Sequence, residues 1–113
     1  MSVLVTGEIE FPQDTGTFSG ATAYLSLESV GMMDMPSTII VENTLDNVSY
    51  DGSSISFEIK GTLDGSVRPL NLRVHISMHG SDDVQKGDYL TKRTYSVLKD
   101  SNPEHITVKV DRV

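Results

Sequence analysis

From Leu70 to Met78 the chain alternates without a break, setting Leu70, Leu72, Val74, Ile76 and Met78 against Asn71, Arg73, His75 and Ser77. Successive side chains of an extended strand point to opposite faces, so this run predicts a strand with one buried and one wet face. On that reading Leu72 lies in the core and His75 in water. The pattern recurs at Ile55, Phe57 and Ile59, and again at Ile106, Val108 and Val110. Residues branched at Cβ fit this geometry and dominate the chain, with 12 Val, 7 Ile and 10 Thr against 2 Ala. They suit a pleated surface and lose rotamer freedom in helices. No window places apolar residues at helical spacing among helix-forming neighbours, so the expected class is all-β.

Further strands follow from the same period. Val3, Val5, Ile9 and Phe11 share a face with Gly7, whose missing side chain points to a bulge or to the close approach of another backbone. Ala21, Ala23, Leu25 and Leu27 form another row. Ile39-Ile40-Val41 is a continuous apolar run whose inward face periodicity leaves open, and Tyr89 to Leu98 completes the count of seven expected strands. Turn residues separate the runs at Gln13-Asp14-Thr15-Gly16, Asp51-Gly52, Asp64-Gly65, Gly80-Ser81-Asp82-Asp83, Lys86-Gly87 and Ser101-Asn102-Pro103. Short alternating strands with regular turns predict an antiparallel β-sandwich of about seven strands, a single domain over residues 1–113. Its core should include Val5, Ile9, Leu25, Leu27, Ile55, Phe57, Leu72, Val74, Ile76, Val108 and Val110.

Charge narrows the partners. Nine Lys and Arg against 16 Asp and Glu give a net charge of -7. That charge repels phosphate backbones and anionic lipid, so nucleic acid is not expected as a partner. The start MSVLVTGEIE lacks the basic region and apolar run of a signal peptide, and no stretch approaches the roughly 18 apolar residues of a spanning helix. Read as written the chain would be cytoplasmic, but a removed signal peptide leaves no trace and the compartment stays open; direct membrane insertion is not expected. With no cysteine there is neither a disulfide nor a Cys-ligated zinc site nor a thiol nucleophile.

Candidate chemistry is sparse. Four strand residues at about 3.4 Å each would put His75 and His79 roughly 13 Å apart, too far to share an ion. His105 reads as a solvated residue after the turn at Pro103. Asp82, Asp83 and Asp88 flank a loop, but Ser81 to Asp88 lacks the alternate oxygens and terminal glutamate of an EF-hand, so a solvated loop is expected. None of the 14 serines sits in a Gly-x-Ser-x-Gly elbow, and there is no phosphate-binding glycine loop. Asn47-Val48-Ser49 is a formal glycosylation sequon. No catalytic residue, metal site or cofactor is expected. The unusual feature is Val30-Gly31-Met32-Met33-Asp34-Met35-Pro36, which holds three of the five methionines. Met32, Met33 and Met35 could plug the sandwich, form an adaptable patch for a partner, or bind a soft ion through thioether sulfur. As a candidate partner-binding site they suit an apolar protein segment.

Three segments together carry a family resemblance: Val5-Thr6-Gly7-Glu8-Ile9, then Ala23 to Val30 with Asp34-Met35-Pro36, and Tyr95-Ser96-Val97-Leu98. In order and spacing they resemble the small-lipoprotein family that includes YbaY and the type III secretion lipoprotein chaperone YscW. Members carry V-x-G, then L-x-D-V-S-x-x-D-A-P, then Y-P-V-L. Here Glu28-Ser29-Val30 stands where Asp-Val-Ser is usual, with Met35 for Ala and Ser96 for Pro. The resemblance implies a compact β-sandwich without catalysis and, as in the secretion member, a pilotin role in bringing an outer-membrane secretin to its site. Family members usually begin with a signal peptide and an acylated cysteine, which places them in the cell envelope or periplasm. The function expected is a non-enzymatic, pilotin-like or chaperone-like binding module, with a small-molecule or glycan-binding envelope domain as the alternative.

Overall fold

The alternating run at Leu70 is strand β5 of a computed structural model that describes residues 2–29, 38–62, 70–97 and 104–113. In chain order the strands are β1 (Ser2–Glu10), β2 (Phe18–Ser29), β3 (Thr38–Tyr50), β4 (Ile55–Gly61), β5 (Leu70–Ser77), β6 (Tyr89–Leu90), β7 (Ser96–Val97), β8 (Glu104–Lys109) and β9 (Asp111–Arg112). They form an all-β sandwich. One sheet has the order β4-β1-β8, and the other runs β3-β2-β5-β6-β9 with β7 also on β5. Two differences from seven antiparallel strands stand out. The segment from Tyr89 is broken into β6 and β7, because its register on β5 shifts by two residues between Leu90, opposite His75, and Ser96, opposite Asn71. And β1 pairs with β8 in parallel, from Val5 opposite Glu104 to Glu10 opposite Lys109.

Leu25, Leu27, Leu72, Val74 and Ile76 are fully buried between the sheets, as are Val5, Ile9 and Val108. Phe57 and Val110 join them, while Ile55 packs half-buried at the margin. Val3 does not share the inward face of Val5. The pairing with β4 skips a residue between Val3 and Val5, and the bulge turns Leu4 into the core beside Val5. Strict alternation fails wherever a strand carries such an extra residue.

Gly7 is the close approach its place in the alternation implied. A side chain there would run into the carbonyl oxygen of Ile106 on β8 and lie 2.9 Å from the Phe57 ring. Gly61 plays the same part on β4, where a Cβ would stand 2.9 Å from Val41 of β3.

Each outer edge of the three-stranded sheet is tied to the other sheet by one side chain. Asn43 on β3 donates from Nδ2 to the Lys60 carbonyl at 3.0 Å and accepts the Lys60 N–H at 2.8 Å through Oδ1. On the far edge the Tyr95 hydroxyl accepts the Lys109 N–H at 2.8 Å and donates to the Lys109 carbonyl at 3.3 Å. An amide and a hydroxyl can each give and take, so both satisfy edge groups that another strand would otherwise occupy.

Candidate functional site

The apolar run that periodicity could not orient becomes the most exposed apolar feature among the described residues. β3 pairs Ile39 with Glu28 and Val41 with Leu27, leaving Ile40 as an extra residue without an opposite number on β2. A bulge of this kind re-aims the side chains around it. Val41 turns inward and is buried, while Ile39 stays 55% and Ile40 38% exposed. Two consecutive isoleucines therefore face solvent at the start of a strand that ends its sheet. Beside them an open cleft of about 470 Å³ runs along the seam of β3 and β4, lined by Ile40, Val41, Asn43, Leu45, Lys60 and Gly61 among others. Its charged rim is Glu42, exposed on β3, with Lys60 held 3.4 Å from Glu58. A second bulge further along β3 places Asn47, the sequon residue, at φ 56°, a conformation that asparagine tolerates better than most residues.

The histidines and aspartates are arranged differently from the expectation. β5 ends at Ser77, so the chain turns before His79, and both His75 and His79 approach Asp88. His75 Nε2 lies 2.9 Å from Asp88 Oδ2 and His79 Nε2 3.7 Å from Oδ1. Neither His75 nor Asp88 is on a wet surface: both are fully buried, as is Ser77, while Asn71 and Arg73 on the same face are half-buried. Tyr24, directly across from His75 on β2, stacks on its ring at 5.6 Å and covers it. The loop after β5 is built around two buried acceptors. Ser77 Oγ takes the N–H groups of His79 and Ser81, and the Asp88 carboxylate takes those of Met78 at 2.9 Å and Gln85 at 3.0 Å. Burial alone would raise the Asp88 carboxyl. The N–H of Met78, the His75 ring and the N–H of Gln85 outweigh it and hold the group below its ordinary value of 3.8. Because the carboxylate is an acceptor, His75 Nε2 must carry the hydrogen. This pair clasps a loop to a strand, and a dyad sealed from solvent has no reach to a substrate. Sequence spacing could not have found it, since Asp88 lies 13 residues beyond its partner.

The remaining candidates are dispersed. Asp82 and Asp83 are exposed, as expected of a solvated loop, and His105 is exposed on β8 with its Nδ1 3.0 Å from the Thr6 hydroxyl. Among the described residues no three His, Asp or Glu side chains gather to hold a metal ion. Met32, Met33 and Met35 lie outside the described residues, immediately before β3 in the chain.

No protein family and no curated protein matches this chain by sequence. One solved structure matches by fold. It is the structure of an alternative pilotin from the type II secretion system of Vibrio cholerae, with a TM-score of 0.66 over 96% of this chain and 95% of that one. The two chains share a fold. At 16% identity the likeness is one of architecture. No helix among the described residues is long and apolar enough to cross a membrane.

Proposed function

We propose that this chain is a non-enzymatic, pilotin-like or chaperone-like module that takes hold of an apolar segment of a protein partner at the start of β3. The observation that carries the reading is the bulge at Ile40, which leaves Ile39 and Ile40 side by side on the surface of an edge strand. Soluble proteins usually confine edges to charged or covered strands, and an exposed apolar edge is a place for another chain. The three methionines that precede β3 would extend the patch with side chains able to repack around varied apolar partners. The pilotin-like fold and the sequence resemblance to the family of YbaY and YscW support the same reading. They suggest a secretin as the partner and the cell envelope as the place of work.

The second reading, a small-molecule or glycan-binding domain, is favoured by one feature. Phe11, Phe18, Tyr50 and Tyr89 gather from four elements at one end of the sandwich, with open clefts of about 360 and 290 Å³ beside Phe11. The rings pack on one another, however, with Phe18 stacked on Tyr50 and Tyr89 and Phe11 tilted 4.5 Å from Tyr50 and edge-on 5.2 Å from Tyr89. Their faces mostly seal the core and leave little ring for a sugar.

Calorimetric titration with a peptide from the candidate secretin's C-terminal segment separates the two. Ile39→Ser with Ile40→Ser should weaken binding by roughly tenfold or more, about 1.4 kcal/mol, with little change in thermal midpoint. Unchanged affinity would remove the β3 patch from the reading, and saturable binding of an oligosaccharide lost in Phe11→Ala would favour the second.

A further inference from the structure

We infer that the partner segment is bound as an extended strand added to the free edge of β4, in the seam between β4 and β3. This rests on the protein-binding role proposed above and adds the conformation in which the segment is held. β4 ends the three-stranded sheet, and among the described residues no other strand pairs with its outer side. Along a strand the N–H and C=O of alternate residues point to the same side. Lys60 turns both groups outward to Asn43, so Glu58 and Ser56 turn theirs outward as well.

Asn43 shows what that edge selects. Its side-chain amide has the chemistry of a peptide group, and it gives and takes a hydrogen bond at Lys60 as the facing residue of an added strand would. It fills the position at Lys60 and leaves those at Glu58 and Ser56. Beside them lies an open cleft of about 520 Å³, lined by Asn43, Leu45, Ser56, Phe57, Glu58 and Lys60. Through Asn43, Leu45 and Lys60 it runs into the cleft beside Ile40. An extended chain here meets a donor and an acceptor at alternate residues, with one row of its side chains turned toward half-buried Leu45 and the other toward solvent. The fitting partner alternates apolar and polar residues and carries no proline where its N–H must face β4. A helix would leave the β4 groups unmet, because its own N–H and C=O groups bond one another. A second copy fits worse. Its β4 edge is flanked by its own β3, and a twofold pairing centred on Glu58 would set like charges directly opposite.

The probe is a short synthetic peptide alternating valine and threonine, with two derivatives N-methylated at one or the other alternate set of backbone amides. Calorimetry should show the unmodified peptide and one derivative binding about equally, and the other derivative roughly tenfold more weakly or worse. Hydrogen exchange at the Ser56 and Glu58 amides should slow on binding. Glu58→Pro deletes an outward donor but no bond to β1, and should weaken the unmodified peptide by a similar factor. Equal losses in the two derivatives, unchanged exchange at Ser56 and Glu58, or no binding at about 1 mM peptide would each overturn the added strand. If Ile39→Ser with Ile40→Ser still weakened the peptide in the first two cases, the apolar grip at β3 would stand. Protection at Ser56 and Glu58 with affinity indifferent to the isoleucines would uphold the added strand and remove the β3 patch. Sedimentation of the free chain completes the test, since a dimer abolished by Glu58→Pro would assign the edge to a second copy instead.

Discussion

His75 and Asp88 meet at 2.9 Å with neither side chain reached by solvent, and their contact fixes the path of the chain from the end of β5 back to β6. Three donors converge on this one carboxylate: the His75 ring and the N–H groups of Met78 and Gln85. Replacing His75 by alanine removes one donor and leaves Tyr24 without its stacking partner. It should cost about 1–3 kcal/mol, the range for leaving a buried polar group short of a partner. Asp88→Asn keeps the shape but turns an amide toward donors, and should cost a similar amount. Asp82→Asn and Asp83→Asn, both exposed, should stay within about 0.5 kcal/mol. Chemical denaturation of the four variants checks this, and four equal results would remove the clasp.

Acid should weaken the same contact. In the folded chain the Asp88 carboxyl ionises below its ordinary value of 3.8. The unfolded chain therefore binds this proton at a pH where the folded chain still refuses it. The resulting stability is complete above the unfolded value and is lost as pH falls through the folded one. The stability gap between the native chain and Asp88→Asn should accordingly narrow as pH falls from about 5 through and below the ordinary value of 3.8. A gap that stays constant over that range would show that Asp88 is not held in its charged form by folding.

How much of this could be read from the sequence depends on how far apart the cooperating residues are. Alternation over Leu70 to Ile76 reports on each residue's own face, and Leu72, Val74 and Ile76 are buried as it requires. The gap in side-chain volume at Gly7 was readable for the same reason, because the missing atoms belong to the residue itself. The bulges at Leu4 and Ile40 were not, since an extra residue is defined only against the opposite strand. The dryness of His75 needed Tyr24 and Asp88, and the edge contacts of Asn43 and Tyr95 needed the two sheets to be stacked. The Ile39-Ile40-Val41 run was visible as apolar, but its exposure depends on the bulge.

Gly7→Ala should be destabilising by about 1–3 kcal/mol, because the methyl meets a backbone carbonyl that can yield only by parting β1 from β8. Gly16→Ala meets nothing within 4 Å and makes the control. It should be neutral, or stabilising by up to about 1 kcal/mol through the unfolded chain. Thermal melts of the two variants give the comparison, and a Gly7→Ala protein as stable as the native one would place β8 elsewhere.

Asn43→Val keeps a residue suited to a strand but removes both hydrogen bonds to Lys60. The β4 edge should then exchange its Lys60 amide hydrogen faster, with a loss of about 1–2 kcal/mol, and the freed edge should raise the tendency to associate. Hydrogen exchange with light scattering reads both. Protection unchanged at Lys60 would mean that another group holds that edge.

Met32 and Met35 decide how far the proposed partner surface extends beyond β3. If their thioethers serve the partner, Met32→Ser with Met35→Ser removes apolar contact area and weakens peptide binding while the thermal midpoint barely moves. If they fill the sandwich, the same changes put hydroxyls in place of packed side chains and lower stability with affinity unchanged. Combining them with Ile39→Ser and Ile40→Ser adds a stricter test. Residues that grip the same segment should give a combined loss in affinity smaller or larger than the sum of the separate losses, whereas independent sites add. Strict additivity alongside a lowered midpoint would confine the binding surface to the two isoleucines.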